Sequence, residues 1–347
     1  MSTIGKLAGV LAICAMSATA HAQVNLSAET SSPTGAPGTT ILTLAEVAAA
    51  DGIANIQVTT GQTLTNAVQN VAEGNIDIAA APFVLPFLMS RGAGPYAKLG
   101  DEGAALADNL AALYTYRFAA FSVFAFESAE FDGWQDIEGK TVYNGPPRGA
   151  ALNRARATIK LATGLDEGEG YEGLQVNWGQ AVKTITDGSA DATIIPLNFP
   201  DARLSQAAAA GAMKVWSFPK ELFEGEAAQK YMRAPGSVAV EMPITPGMFG
   251  EGITVVSEDE VFRAPGEVGG DIVNKSMDFE LAKALTAAFI ENMDVFKSKA
   301  PFMQNVYLGE TDPAKTSLCG PMPIKYHPGA VAAWEEAGYT IPDCAKP

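Results

Sequence analysis

The sequence is poor in the side chains on which most enzyme mechanisms depend. Its 347 residues include two histidines and three cysteines. No Gly-x-Ser-x-Gly elbow is present, and no group of His and Cys residues has the spacing of a zinc site. Catalysis by carboxylates alone stays open, because 39 Asp and Glu residues will form some pairs by chance. The composition therefore argues against an enzyme, and we expect no cofactor and no metal.

Positive charge is also scarce. The chain has 23 Lys and Arg against 39 Asp and Glu, a formal net charge of −16. Nucleic acids and anionic lipids are bound mainly by Lys and Arg that neutralise phosphates, so neither is an expected partner. An anionic ligand of such a protein needs local positive groups, such as an arginine or the N-terminus of a helix.

After the start of the chain, no stretch has the length and continuous apolarity of a membrane span. At the start, Lys6 precedes an apolar stretch at 7–20 and the small-x-small end Ala20-His21-Ala22, which is the layout of a secretory signal. A membrane anchor is the alternative, but the stretch is shorter than the roughly 20 residues that a spanning helix needs. We expect a signal peptide at 1–22, cleavage after Ala22 and export to the periplasm.

Only two cysteines remain after this cleavage, because Cys14 lies within the signal peptide. Disulfides persist in exported proteins, so Cys319 and Cys344 are predicted to bond to each other. Two free thiols or a metal-binding pair are the alternatives.

Strand-like and helix-like segments alternate along the exported part. A strand at 24–28 is followed by a Gly- and Pro-rich loop at 31–38 and a helix at 39–50. This alternation predicts an α/β fold with a mostly parallel sheet flanked by helices. Further predicted strands lie at 56–59, 76–80, 141–143 and 192–196, and further helices at 63–73, 150–162, 178–187, 201–210 and 278–299.

Two segments are suited to connect separate domains. The apolar and aromatic segment at 113–126 is long enough to leave one domain and enter another, and a return is expected near 253–264. We therefore expect two lobes with a ligand cleft between them. Lobe I would comprise 23–118 and 262–347, lobe II 119–261, with hinge crossings near 115–126 and 255–265.

Seven short fragments occur in an order that is typical of one receptor family. They are Ser-Pro-Thr-Gly at 32–35, Asn-Ile-Asp-Ile-Ala at 75–79, Leu-Tyr at 113–114, Glu-Gly-Lys-Thr-Val at 138–142, Gln-Ala-Val at 180–182, Asp-Gly-Ser-Ala-Asp-Ala at 187–192 and His-Pro-Gly-Ala at 327–330. This order resembles the TAXI-type solute receptors of tripartite ATP-independent periplasmic (TRAP) transporters. The likeness extends over nearly the whole exported chain.

The resemblance implies a two-lobed periplasmic binding protein of the type II kind, which closes on its ligand. It implies a ligand with a carboxylate, such as an amino acid, keto acid or dicarboxylate, and TRAP membrane subunits as partners of a monomeric receptor. Two loops depart from the family pattern, Ala36-Pro37-Gly38 and Pro146-Pro147-Arg148-Gly149. The ligand of a known member therefore does not transfer to this chain.

The first candidate site residues are Ser32, Thr34 and Gly35. They lie between a predicted strand and the N-terminus of a helix, where open α/β sheets bind ligands and free N–H groups attract anions. Ser32 and Thr34 would add hydroxyl donors. An ordinary capping turn is the alternative, since Ser and Thr also favour helix starts.

Arg148 and Gly149 open another predicted helix after two prolines, so the guanidinium is our preferred carboxylate anchor. A surface arginine paired with nearby acids is the alternative. Arg117 lies in the first crossing segment, where it would reach the cleft from the hinge or form an ion pair between the lobes.

Two further pairs follow predicted strands and are candidates for the same reason. The Asn198 amide would form a hydrogen bond with a ligand, and the Phe199 ring would form a wall of the pocket. Pro82 and Phe83 would line the cleft in the same way. Packing in the core is the alternative for both rings. Trp178 and His327, by contrast, are expected to be structural.

The same fold would also serve two other binding functions. A binding protein of an ATP-driven importer and a chemosensory receptor both capture a small solute between two lobes. Sequence alone does not separate these functions from TRAP transport.

Overall fold

Strands and helices alternate through the chain as the sequence predicts. The computed structural model describes residues 23–347, so the predicted signal peptide and its cleavage site lie outside the described residues. The strands are β1 (Val24–Glu29), β2 (Ala54–Thr59), β3 (Ile78–Pro82), β4 (Leu110–Phe126), β5 (Thr141–Tyr143), β6 (Glu172–Leu174), β7 (Ala192–Leu197), β8 (Met213–Trp216), β9 (Ser237–Pro243), β10 (Ile253–Val256), β11 (Val261–Asn274), β12 (Tyr307–Leu308) and β13 (Lys325–Tyr326). The α-helices are α1 (Ala36–Ala50), α2 (Leu64–Ala72), α3 (Val84–Ser90), α4 (Glu102–Ala107), α5 (Ala150–Thr163), α6 (Ala181–Thr186), α7 (Ala202–Ala208), α8 (Lys220–Glu224), α9 (Glu226–Met232), α10 (Phe279–Glu291), α11 (Met293–Ser298), α12 (Pro313–Thr316) and α13 (Pro328–Glu336).

One mixed sheet contains the thirteen strands of the described chain, with the main order β2-β1-β3-β11-β4-β7-β5-β6. Pairs at both ends are parallel, joining β1 to β2 and β3, and β5 to β6 and β7. In the middle, β4 and β11 run antiparallel to each other and to β7 and β3. The α/β class is confirmed, but the sheet is mixed rather than mostly parallel because these two long strands reverse direction relative to their neighbours.

Within the part of the chain that the structure describes, buried apolar side chains form three clusters on this sheet. The first draws on residues 26–116 and 268–345, with Val238 added. The other two draw on residues 120–264, one beside α5 and one beside α7. Burial of apolar surface is the main force that stabilises folds, so each cluster holds its own part of the sheet together.

β4 and β11 pass between the region of the first cluster and the region of the other two. β4 is 17 residues long and β11 is 14, and β11 begins within the predicted return segment. Their register shifts where Ala119 bulges out opposite Gly266. Ala119 has φ 55°, a left-handed conformation that costs a residue with a Cβ about 1 kcal/mol or more. The bulge marks the point where the ladder between the two strands bends.

Helix α1 begins three residues before the predicted start, at Ala36. Pro37 occupies its first turn, where a proline needs no N–H donor and its fixed φ suits a helix. Gly38 is required there, because a Cβ at this position would lie 1.9 Å from the carbonyl oxygen of Ser32. The sequence Ala-Pro-Gly therefore belongs to the helix and not to the preceding loop.

The single long helix predicted at 278–299 is wrong. It is two helices, α10 and α11, which meet at Asn292 (φ −108°, ψ 17°). The Asn292 side chain donates to the carbonyl of Ala288 at 2.9 Å. Asn competes with the backbone for hydrogen bonds in this way, and the helix breaks although the apolar periodicity continues.

The C-terminal segment bears out two expectations. Cys319 and Cys344 form a disulfide. His327 is buried at the start of α13, where its Nδ1 accepts the N–H of Gly329 at 3.2 Å. No helix of residues 23–347 is both long and apolar enough to span a membrane.

Candidate functional site

Most of the predicted site residues lie just beyond the C-terminal ends of strands. This is the edge at which open α/β sheets usually bind ligands. The loop that holds Ser32, Thr34 and Gly35 follows β1, Pro82 and Phe83 end β3, Arg148 and Gly149 follow β5, and Asn198 and Phe199 follow β7.

Ser32 and Thr34 bond to each other and do not cap α1. Their hydroxyl oxygens are 2.9 Å apart, and the N–H of Thr34 donates to Ser32 Oγ at 3.3 Å. Gly35 is the N-cap residue, and no side chain accepts from the first turn. The capping-turn alternative therefore does not describe these two side chains, and both hydroxyls lie on a partly exposed loop in front of the helix.

Pro82 and Phe83 are buried, so they do not present an open surface. The Phe83 ring packs against Gly270 of β11, where an added Cβ would lie 2.7 Å from the ring. Behind it, Gly236 approaches the backbone of Val84 so closely that an added Cβ would lie 2.3 Å away. The structure therefore gives Phe83 the core packing that was its alternative interpretation.

Arg117 is the most firmly positioned of the predicted positive groups. Its Nε lies 3.1 Å from Glu310 Oε2, and its guanidinium stands 4.3 Å from the centre of the Tyr307 ring. Its side chain is 23 % exposed, whereas that of Glu310 is 6 % exposed. Among residues 23–347 the terminal Nη atoms of Arg117 have no hydrogen-bond partner, so an oriented pair of donors is available to a ligand.

Arg148 lacks the contacts that Arg117 makes. It is exposed, and within the described chain it forms neither an ion pair nor a hydrogen bond. Gly149 after it has φ 107° and serves as the N-cap of α5, a conformation that favours glycine. The loop geometry thus explains Gly149, while nothing fixes the side chain of Arg148.

Asn198 and Phe199 lie next to the strand that carries Arg117. The N–H of Asn198 donates to the buried carboxylate of Asp201 at 3.0 Å. The Phe199 ring packs against Phe249 and Phe262, and its carbonyl accepts from Asn305 at 2.6 Å.

Asn305 and Tyr307 bring the region after β7 close to Arg117. Asn305 holds Phe199, and two residues further on Tyr307 pairs with Arg117 across β12 and β4. The structure therefore places Arg117 and Phe199 on either side of one short segment. It shows no contact that would bring Arg148 to them.

Several residues of this region escaped the sequence analysis. Glu310 and Tyr307 position Arg117, and Arg203 binds Asp201 beside Trp178. Trp178 is only half-buried, so it is not purely a core residue. An Asp and an Arg two positions apart, just after a predicted strand, were a usable signal for Arg203.

A buried arginine fixes the helix that follows the β5 loop. Arg154 in α5 donates to the carbonyl of Gly236 at 2.7 Å and to the Ser237 hydroxyl, and its Nε lies 3.3 Å from Glu267 of β11. Burial raises the pKa of Glu267 even though Arg154 opposes this shift. These contacts connect α5 to the start of β9 and to β11.

A buried carboxyl lies under α1. Asp271 of β11 accepts from the Tyr114 hydroxyl at 2.5 Å, and its other oxygen has no hydrogen-bond partner among the described residues. The Tyr116 hydroxyl lies beside Asp271 and Thr40 without a well-aligned bond. Burial raises the pKa of Asp271 to about 7, although the tyrosine hydroxyls oppose the shift.

Comparison with known proteins supplies a family and a fold. The model of the NMT1-like family matches residues 30–338. No curated protein sequence matches the chain. A solved structure from Bordetella bronchiseptica RB50 is 13 % identical with a TM-score of 0.55, and the match covers 91 % of this chain and 98 % of that one. At this identity the likeness shows the fold alone.

Two further solved structures are less similar. A TctC solute binding protein from Polaromonas is 12 % identical with a TM-score of 0.46, covering 82 % of this chain and 86 % of that one. The periplasmic aliphatic sulphonate binding protein SsuA from Escherichia coli is 11 % identical with a TM-score of 0.43, covering 81 % and 78 %. These TM-scores are too low to carry an argument.

Proposed function

The chain belongs to the NMT1-like family, and on that premise we propose that it is a periplasmic solute receptor of the TAXI type. It captures a small organic anion with a carboxylate group and delivers it to the membrane subunits of a TRAP transporter. Arg117 carries the proposal. Its guanidinium forms an ion pair with Glu310 and lies over the Tyr307 ring, and its terminal nitrogens have no hydrogen-bond partner within the described chain.

The cleft lies between two lobes that β4 and β11 connect. We place lobe I at 23–118 and 262–347 and lobe II at 119–261. Support comes from the separate clusters of buried side chains and from the bulge at Ala119, where both strands change register. Closure would bend the two strands at this bulge.

Each predicted residue has a role in this receptor. Arg117 holds the carboxylate by a charge-assisted pair of hydrogen bonds, which is stronger than a neutral contact. Ser32, Thr34 and Gly35 offer hydroxyl and N–H donors from the lobe I side, and Asn198 encloses the ligand from lobe II. The buried Phe199 supports the lobe II wall. The buried Pro82 and Phe83 support the lobe I wall. The exposed Arg148 and the half-buried Gly149 contact the anion as it enters.

The TRAP assignment and the absence of turnover are parts of the same proposal. An importer driven by ATP, or a sensor, would use the same fold and the same site. Solute uptake in cells distinguishes them: we expect it to stop when an ionophore removes the ion gradient and to continue when ATP-driven importers are inhibited. The bound anion should be recovered unchanged after incubation with the protein.

A thermal-shift screen of residues 23–347 against small carboxylates and sulfonates tests the binding role. A ligand at 100 times its Kd stabilises the native state by about 2.7 kcal/mol, which gives a readily measured rise in Tm. We expect a hit among the carboxylates. If none of these anions shifts Tm, and mass spectrometry of the denatured protein finds no bound anion, the proposal is wrong.

The anchor is tested by Arg117→Lys, which keeps a positive charge beside Glu310 and loses the two-pronged contact. We expect affinity to fall at least tenfold. Arg91→Ala is the control, because Arg91 likewise lies over an aromatic ring, that of Phe87, but is exposed and outside the proposed site. If Arg148→Ala lowers affinity and Arg117→Lys does not, the anchor is Arg148.

A further inference from the structure

Arg203 is held in a fixed position at the lobe II wall. Its Nε donates to Asp201 Oδ1 at 3.1 Å, and its Nη2 donates to Asp201 Oδ2 at 2.8 Å and to the carbonyl of Pro196. Its Nη1 has no partner among residues 23–347, and its side chain is 24 % exposed. The guanidinium is thus oriented with one pair of N–H donors free.

The carboxylate that holds Arg203 is itself fully engaged. Asp201 has no exposed surface and also accepts from the backbone N–H groups of Asn198, Arg203 and Leu204. Burial alone would raise its pKa, but Arg203 and these donors lower it below its usual value. Asp201 therefore stays ionised at neutral pH and has little capacity left to compete for a ligand.

A buried hydroxyl and an indole ring stand beside this guanidinium. The Tyr143 side chain is fully buried, and its hydroxyl has no hydrogen-bond partner in the described chain. Tyr143 belongs to the buried cluster against which Trp178 packs. Burial raises the pKa of Tyr143 to about 12, and the positive charge of Arg203 opposes this rise. The Arg203 guanidinium lies 5.5 Å from the centre of the Trp178 ring, and an added Cβ on Gly145 would lie 3.8 Å from that ring.

Among residues 23–347, neither Arg203 Nη1 nor the Tyr143 hydroxyl has an acceptor. A buried donor without a partner costs roughly 1 to 3 kcal/mol, which a ligand acceptor would recover. We propose that Arg203, Tyr143 and Trp178 form a second anion subsite, which binds a carboxylate or sulfonate at the far end of the solute. The inference rests on the proposed function, in which Arg117 binds the first carboxylate.

Contacts at the end of β7 connect the surroundings of the two arginines, so we expect a single solute to reach both subsites. Asn198 and Phe199 make this connection. Asn305, two residues before Tyr307, donates to the Phe199 carbonyl, and the N–H of Asn198 donates to Asp201, which holds Arg203. A solute with two anionic groups would engage both guanidinium groups and would resist lobe opening. A solute with one anionic group would engage Arg117 alone.

Calorimetry with chain-matched anions, glutarate and valerate, tests this inference. We expect wild-type protein to bind glutarate at least tenfold more tightly than valerate. Tyr143→Phe removes only the unpartnered hydroxyl, so it should leave folding intact, weaken glutarate about threefold or more and leave valerate unchanged. Arg203→Met should reduce glutarate affinity to the valerate level, with Arg91→Ala as the control.

The possible results distinguish the second subsite from the receptor role. If both anions bind equally to wild-type protein, the second subsite is refuted and the receptor role stands. If Arg203→Met weakens both anions by the same factor, Arg203 acts only through the shape of lobe II and the subsite is refuted. If no anion of the earlier screen binds, the receptor role itself fails. If both variants lose affinity for glutarate and keep their affinity for valerate, the subsite is supported.

Discussion

The buried carboxyl of Asp271 should make the protein less stable as pH rises through the mildly acidic range. Its pKa is raised from 3.8 to about 7, chiefly by burial. Below pH 4 the Asp271 carboxyl is protonated in both the folded and the unfolded state. Between pH 4 and pH 7 the unfolded chain releases this proton while the folded protein keeps it. The unfolded state is therefore stabilised relative to the folded state as pH rises. Above about pH 7 the contribution no longer changes.

The size of this effect follows from the pKa difference. A shift of about 3 pH units at 1.36 kcal/mol per unit corresponds to about 4 kcal/mol, taken as an upper bound for the site. Asp271→Asn keeps an acceptor for the Tyr114 hydroxyl and removes the titration. Relative to wild type, we therefore expect this variant to gain up to about 4 kcal/mol in unfolding free energy between pH 4 and pH 8.

Urea unfolding of residues 23–347 at pH 4, 5, 6, 7 and 8 measures this difference directly. Asp132→Asn is the matched control, because Asp132 is an exposed aspartate and the substitution is the same. The control should follow wild type at every pH. If Asp271→Asn also follows wild type between pH 4 and pH 8, Asp271 does not titrate in this range and the reasoning is wrong.

Three further changes test the geometry of the fold. Gly38→Ala should lower the free energy of unfolding by about 2 kcal/mol or more, because the added Cβ would lie 1.9 Å from the carbonyl oxygen of Ser32. In the control Gly35→Ala the added Cβ has no contact closer than 4.0 Å, so this variant should fold normally. Equal melting temperatures of the two variants would contradict the loop packing. Ala119→Gly relieves the positive φ and should leave stability unchanged or raise it by up to about 1 kcal/mol in urea unfolding, whereas a clear loss would contradict the bulge. Replacing Cys319 and Cys344, which are 25 residues apart, by Ser should lower stability by about 3 kcal/mol, and a reductant should then have no further effect.

Local patterns in the sequence predict the order of strands and helices. Apolar segments separated by Gly and Pro predicted β5 at its observed residues and β7 within one residue. The antiparallel direction of β4 and β11 could not be predicted in this way, since direction depends on pairing between residues more than 140 positions apart. The break at Asn292 was missed because the apolar spacing continues through it, while a single side-chain hydrogen bond decides the geometry.

In the candidate site, too, local features could be predicted from the sequence and long-range contacts could not. Position after a strand is visible in sequence, and it placed Ser32, Arg148 and Asn198 in loops at strand ends. What fixes an arginine is not visible, because Glu310 lies 193 positions beyond Arg117 along the chain. Arg148 was preferred for its neighbouring prolines, yet the distant ion pair makes Arg117 the better oriented group.

The most direct test of the receptor role is a calorimetric titration of residues 23–347 with the carboxylate that raises Tm most. The account predicts one bound anion per chain, an affinity at least tenfold lower in Arg117→Lys and an unchanged affinity in Arg91→Ala. Absence of binding heat, after unfolding and refolding have removed any anion carried through purification, would contradict it. So would an affinity that Arg117→Lys leaves unchanged while both variants remain folded.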